Sequence, residues 1–291
     1  MAVTASMVKE LRQRTGAGMM ECKKSLVETN GDIEAAIEFL RKSGLALADK
    51  KSSRIAAEGL VVLASNDDNS EAILVEVNSE TDFAAKDDNF LTFVKAVAGN
   101  ALATDSDNVE ALMATDHNGA SLEIARQALI SKIGENIQVR RIARMSNSSN
   151  IGAYVHGGRI GVLVELEGGD NALARDIAMH IAALNPEFID VDDVPAEILE
   201  KEKQFLISQA ADSGKPAEII EKMVTGRMRK HISAITLVGQ PFVKDGDLTV
   251  AKLLEKNGAS VKGFTRLEVG EGIEKKEDNF AEEVMQQVKG G

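Results

Sequence analysis

Tryptophan is absent from this chain, tyrosine occurs once, and nine phenylalanines carry nearly all the aromatic character of its 291 residues. Each phenylalanine therefore needs a reason for its place. Cysteine is almost missing too: the single Cys22 rules out an intramolecular disulfide and any site built from cysteines alone. No apolar run approaches membrane-spanning length, and the N-terminus lacks the apolar core of a signal peptide. Positive charge is in deficit. With a net charge of −12 there is no general basic surface for tight nonspecific binding to nucleic acid. The expectation is a cytoplasmic protein without a direct nucleic-acid or membrane partner.

Catalytic patterns are also lacking. The four histidines, His117, His156, His180 and His231, form no HxxxH or HExxH pair, and no G-x-S-x-G elbow occurs. His180 falls on an apolar helical face and is expected in the core. Gly18-Met19-Met20-Glu21-Cys22-Lys23-Lys24-Ser25 has the outline of a phosphate loop. However, Lys23 takes the second glycine's place, and no strand precedes it. Cys22, beside Met19, Met20 and Leu26, reads as a small core residue. No enzymatic activity, resident cofactor or metal is expected.

What is present is modular. Residues 1–54 read as helices only. One is marked by Val8 and Leu11, a second runs from Met19 to Val27, and a third is capped by Asp32 and closed by Ser43-Gly44, followed by a basic helical connector. Next come two apolar strands, 59–65 and 72–77, a helix at 88–103, a polar stretch at 104–119, a helix at 121–132 and an alternating strand at 137–145. Arg140, Arg141 and Arg144 on that strand are expected to face solvent. After a polar linker at 146–150, strand, turn, strand and helix occur again. Two long, charge-rich helical patterns, 196–211 and 216–234, make an inserted hairpin. A strand at 235–243, interrupted by Gly239-Gln240-Pro241, a helix capped by Thr249 and a strand at 261–269 follow. Gly270-Glu271-Gly272 begins a tail with an amphipathic helix at 279–288. The fold class is α+β, divided as 1–54, 55–145, 146–195, 196–234, 235–270 and 271–291.

One short stretch stands apart. Asn78-Ser79-Glu80-Thr81-Asp82-Phe83-Ala84-Ala85-Lys86 links the buried strand at 72–77 to the helix whose apolar face carries Phe90, Val94 and Val97. Periodicity alone admits Phe83 as the first core residue of that face. The other reading is an exposed ring beside a carboxylate, offered to a partner.

A resemblance bears on that choice. Val8-Lys9-Glu10-Leu11-Arg12, Thr15-Gly16-Ala17-Gly18-Met19-Met20, Cys22-Lys23-Lys24 and Thr81-Asp82-Phe83 occur in order. They are followed by Lys132-Ile133-Gly134-Glu135-Asn136, His156-Gly157, Arg159-Ile160-Gly161-Val162-Leu163, Gly239-Gln240-Pro241-Phe242 and Glu268-Val269-Gly270-Glu271-Gly272. From Thr4 to about Phe280 the chain resembles the bacterial elongation factor Ts family, the guanine nucleotide exchange factors of elongation factor Tu. The resemblance implies a ubiquitin-associated-like N-terminal bundle, a two-part α+β core with antiparallel sheets, a dimerisation hairpin and a C-terminal helix module. It implies that Thr81, Asp82, Phe83 and Ala84 form the motif that intrudes on the partner's magnesium and nucleotide region. Met19, Met20, Lys23, Ile133, Gly134, His156 and the tail helix would add contacts. Ala84 departs from the family's usual valine, which removes two methyl groups behind Phe83. The rival function is a noncatalytic protein-binding scaffold or chaperone using the helical modules.

The sparsely apolar hairpin at 196–234 makes self-association through it a candidate arrangement. Shortening both helices equally around Gly214 is expected to change oligomeric state more than core stability. Light scattering that finds the same mass before and after would remove that role.

Overall fold

The computed structural model describes residues 3–68, 70–104, 106, 108–146, 150–211 and 216–274. The expected tail helix at 279–288 and the tip of the hairpin at 212–215 lie outside the described residues. Three helices open the chain, α1 (Ala5–Thr15), α2 (Met19–Glu28) and α3 (Ile33–Lys51). Strands β1 (Glu58–Ser65) and β2 (Glu71–Ser79) lead to helices α4 (Asp88–Ala103) and α5 (Val109–Ala114). A tiny hairpin of β3 (Asp116–His117) and β4 (Ala120–Ser121) precedes α6 (Leu122–Ile133) and β5 (Ile137–Ser146). The second half runs through β6 (Ile151–His156), β7 (Ile160–Glu167), α7 (Asn171–Leu184), α8 (Ala196–Ala211) and α9 (Ala217–Ile235). It continues with β8 (Pro241–Phe242), β9 (Asp245–Thr249), α10 (Val250–Lys256) and β10 (Ser260–Glu268). The class is α+β, and among the described residues no helix is long and apolar enough to cross a membrane.

Two antiparallel three-stranded sheets, ordered β1-β2-β5 and β10-β7-β6, repeat one topology: a hairpin whose second strand also pairs with a later strand. Ile73, Val75 and Val77 point to one face of β2, against Phe90, Val94 and Val97 of α4 and Ile130 of α6. Ala72 and Leu74 point to the other face, where with Val61 they meet Ile151, Leu163 and Leu267 of the second sheet. Val162, Val164 and Leu166 then face α7 and α10. The result is four layers, helix–sheet–sheet–helix. A strand buried on both sides has no solvent face, which is why 72–75 reads as an unbroken apolar run rather than an alternating one. Each fully buried Leu or Ile in these layers contributes roughly 1.5–3 kcal/mol relative to exposure.

One acid interrupts that apolar stack. Glu76 has no solvent exposure and lies on the sheet-to-sheet side of β2. Its Oε1 accepts from Asn78 Nδ2 at 3.0 Å, Arg140 Nη1 at 3.1 Å and the Gly270 N–H at 2.9 Å, and its Oε2 accepts from Arg141 Nε. This corrects the sequence expectation for the arginines. Arg140 and Arg141 do not form a solvated face, because a buried carboxylate on the next strand needs their charge. Arg144 also turns inward, donating to the Ala101 and Thr104 carbonyls at 2.5 Å each. Gly270-Glu271-Gly272 is likewise no free tail. Gly270 has φ +76°, and a Cβ there would lie 2.2 Å from the Ala57 carbonyl oxygen. Arg141 fastens the Glu268 carbonyl and Arg140 the Glu271 carbonyl.

Three further expectations change. Ser43-Gly44 does not end the third helix. The helix continues to Lys51, and a Cβ at Gly44 would come within 3.0 Å of Ser131 Oγ on α6, so the glycine serves close helix packing rather than a turn. The polar stretch at 104–119 contains α5 and β3, whose hairpin partner β4 follows it, too short to show periodicity. Of the strand expected at 235–243, only the two residues of β8 form one. After α9, Gly239 N bonds Thr236 O and Gln240 N bonds Leu237 O, making tight turns. Those turns bring Gln240 to the buried His180. His180 Nδ1 accepts from Val243 N at 3.1 Å, so Nε2 carries the proton donated to Gln240 Oε1 at 2.9 Å. Burial pushes the His180 pKa down, which favours that neutral form. The core role expected for His180 is what the structure shows.

Burial alone would raise the Glu76 pKa, but the bonds from Gly270, Arg141 and Asn78 together bring it below the ordinary 4.5. A depressed carboxylate contributes stability above its unfolded pKa and loses it as pH falls through the folded value. Glu76→Gln is therefore expected to cost about 3 kcal/mol at pH 7 by leaving two arginines without their anion. Denaturant melts should show the gap from wild type shrinking below pH 4.5; a gap independent of pH would count against the charge as its source.

Candidate interaction site at the exit of the second strand

The stretch after β2 is held at both ends. Ser79 Oγ donates to the Thr81 carbonyl at 2.8 Å. The Glu135 carboxylate takes both donors of Thr81, the backbone N–H at 2.9 Å and the hydroxyl at 2.7 Å. On the far side Ala84 and Ala85 are buried, and Ala84–Lys86 forms one 3-10 turn. Asp87 then adopts extended backbone, φ −67° and ψ 135°, and caps α4 through the Asn89 N–H. That extended residue breaks the helical phase. Phe83 and Phe90 are seven apart, yet they do not share a face: Phe90 is fully buried and Phe83 is 80% exposed. The core reading of Phe83 is thereby overturned: the ring is exposed.

Asp82 and Phe83 are thus two neighbouring side chains projected from a short, fixed bend. Lys86 lies over both, with its ammonium 2.7 Å from Asp82 Oδ2 and 5.9 Å from the Phe83 ring centroid. The Lys86 hydrogen bond holds the Asp82 carboxyl below the usual aspartate range, so Asp82 is an anion at neutral pH. Such an exposed pair adds little to stability. The bend offers a ring, a carboxylate and an ammonium to whatever approaches it.

Phe83 and Ala84 border a concavity of about 500 Å³ that also takes in Ile133 from α6, Gly18 at the start of α2, Arg12 and Lys132. Three residues picked from sequence, Phe83, Ala84 and Ile133, come together there. Gly134 closes α6 in the left-handed region beside it. Met19 and Met20 are 59% and 75% exposed on the first turn of α2, just past Gly18. Lys23 and Val27 continue the same exposed helix face. His156 does not join the concavity. It sits at the end of β6, sharing a 3.0 Å hydrogen bond with the Tyr154 hydroxyl. Its turn lies over β1, where Gly158 O accepts from Val61 N and Arg159 pairs with Glu58, the residue opposite Ser79. The sequence reading missed Glu135, Lys132 and Asn89 as organising residues. Lys132 Nζ donates to Asn89 Oδ1 at 2.6 Å, tying the end of α6 to the start of α4. An acid between a helix-closing glycine and a strand was the available signal for Glu135.

A family model described as Elongation factor TS matches residues 80–271. The elongation factor Ts of Thioalkalivibrio sulfidiphilus is 63% identical over 292 residues, covering 100% of both chains. Those of Alkalilimnicola ehrlichii and Halorhodospira halophila are 60% and 55% identical, covering 100% and 99% of both chains. The chain belongs to the elongation factor Ts family. As a member of the elongation factor Ts family it is a protein-biosynthesis factor, and the match begins at Glu80, immediately before the exposed bend.

Exposure separates the roles of the two phenylalanines. Phe83→Ala is expected to change unfolding free energy by no more than about 0.5 kcal/mol, as for an ordinary surface substitution. Phe90→Ala should cost roughly 3–5 kcal/mol. Thermal melts of the two variants check this, and equal losses would return Phe83 to the core.

Proposed function

We propose that this chain is a guanine nucleotide exchange factor that binds the GDP form of elongation factor Tu, displaces its magnesium and promotes GDP release so that GTP can bind. The observation that carries the reading is Phe83, 80% exposed on a bend fixed at both ends in a chain of this family. An exposed ring on fixed backbone loses little conformational freedom when it enters a partner, so more of the contact energy is available for displacing partner groups.

The mechanism is one of linkage. A protein that binds the GTPase and weakens GDP by some factor is itself weakened by GDP by that same factor. Magnesium demands near-ideal octahedral geometry, so a small movement of its ligands is costly to its coordination. In this reading Phe83 moves the partner's side chains, and the anionic Asp82 rearranges polar contacts beside the ion. Thr81 and Ala84 hold the bend. Docking elsewhere supplies the binding energy: residues 1–54 through Met19, Met20 and Lys23, the Ile133-Gly134 corner, and His156. No covalent bond is made or broken, so the chain acts as a binding catalyst of exchange in the cytoplasm rather than as an enzyme. The α8–α9 arm, with Phe205 54% exposed, supports self-association as a homodimer.

The test is GDP release from elongation factor Tu with catalytic amounts of this protein. Wild type is expected to accelerate release. Phe83→Ala and Asp82→Ala are expected to slow the catalysed rate with normal melts, the former by about thirtyfold, the equivalent of roughly 2 kcal/mol for a lost interface aromatic. An unchanged GDP off-rate with wild type would favour a scaffold that binds without exchange.

A further inference from the structure

Apart from the Ser79 bond to the Thr81 carbonyl and the burial of Ala84 and Ala85, the bend that presents Asp82 and Phe83 has little side-chain support of its own. Its ring is exposed, its carboxylate is exposed, and its one ion pair is with Lys86 inside the same turn. What fixes it comes from a distant part of the sequence, the corner between α6 and β5. Glu135 meets Thr81 in a two-point contact, one oxygen to the hydroxyl and the other to the backbone N–H. That geometry sets the rotation of Thr81 as well as its distance. The Thr81 hydroxyl, turned by Glu135, accepts in its turn from Ala84 N at 3.2 Å and so closes the bend around Asp82 and Phe83. Asn136 N, next along the corner, donates to Glu80 Oε1 at 2.6 Å, which fixes the preceding residue.

The corner is itself anchored on its opposite side. Lys51 at the end of α3 donates to the Gly134 carbonyl, and Asn136 Nδ2 donates to the Arg54 carbonyl at 2.7 Å. Asn136 is buried. A support tied to both α3 and α6 does not follow the bend when the bend is pushed. The force of a partner on Phe83 is then met by the fold rather than absorbed by a loop.

We infer that Glu135 is a positioning residue of the exchange reaction, aiming Asp82 and Phe83 by clamping both donors of Thr81, without itself touching the nucleotide site. This inference rests on the exchange-factor reading. It requires Glu135 to act on the rate within the complex rather than on complex formation, because the clamp sets where the ring points and not how much surface docks.

Glu135→Ala and Glu135→Gln separate the possibilities. The alanine variant removes both acceptors. The glutamine variant keeps the clamp by another pattern, its oxygen accepting from Thr81 N and its amide N–H donating to Thr81 Oγ1. Two measurements are made on each full-length protein: GDP release from elongation factor Tu across a range of exchange-factor concentrations, and amide hydrogen exchange at Thr81. For Glu135→Ala the maximal catalysed rate is expected to fall about tenfold, with the half-saturating concentration unchanged, and Thr81 exchange to speed up about tenfold. Glu135→Gln is expected to restore most of both. A wild-type maximal rate in Glu135→Ala overturns the inference, as does unchanged Thr81 protection. Equal loss in the two variants, with a raised half-saturating concentration, would make Glu135 a charge that touches the partner and overturn it as well. Should wild type itself fail to accelerate GDP release, the exchange-factor reading falls, and the Thr81 exchange data still decide whether Glu135 clamps the bend.

Discussion

The buried carboxylate of Glu76 joins the two sheets at a point where hydrocarbon alone would let them slide. Apolar contact between sheet faces is strong but carries no direction. A carboxylate with four named donors has direction, and it fixes the register of β2 against β5 and the docking of the Gly270 corner at once. Removing such a charge from water is expensive, and the cost is offset only when every lone pair finds a donor. The arginines are only part-buried, so each keeps some solvent while serving the anion. Once this node is set, the exit of β2 three residues later has a defined place, and the bend carrying Phe83 inherits it.

The bend itself is a case of order imposed from outside. Backbone in a three-residue turn has little intrinsic stability, and fixing each residue costs on the order of 1–2 kcal/mol of conformational entropy. Here that ordering is complete before any partner arrives, through buried alanines on one side and a carboxylate on the other. An exposed ring in such a place contributes nothing to the hydrophobic core. The molecule tolerates it because the four-layer stack beneath is buried on both faces of both sheets.

Much of this was legible in the residues. The apolar run of β2 announced a strand buried on both sides. Asp32 and Thr249 marked helix starts by chemistry that is local, a side-chain oxygen accepting from the N–H three residues on. What stayed hidden depended on distance. Three of the four donors to Glu76 lie 64, 65 and 194 residues away, so nothing near Arg140 and Arg141 in sequence revealed that their charge was needed inside. Gly44 looked like a helix end because its real reason, close packing on α6, lies in another element. Phe83 kept helical spacing with Phe90 by coincidence of number, and one extended residue at Asp87 was enough to separate them. Thr81 carried no mark of its clamp, since Glu135 reaches it across 54 positions.

The α8–α9 arm leaves and re-enters the fold through strands of backbone that run side by side. Phe188 N donates to Ile235 O, and Leu237 N donates to Phe188 O at 2.8 Å, closing the base of the arm like a clasp. A clasped insertion has its ends already together, so the entropy of closing the loop grows only slowly with whatever length is placed between them. The arm is therefore the natural graft point of this molecule. A fluorescent domain or a rigid spacer spliced there would ride on the protein without disturbing how the sheets meet.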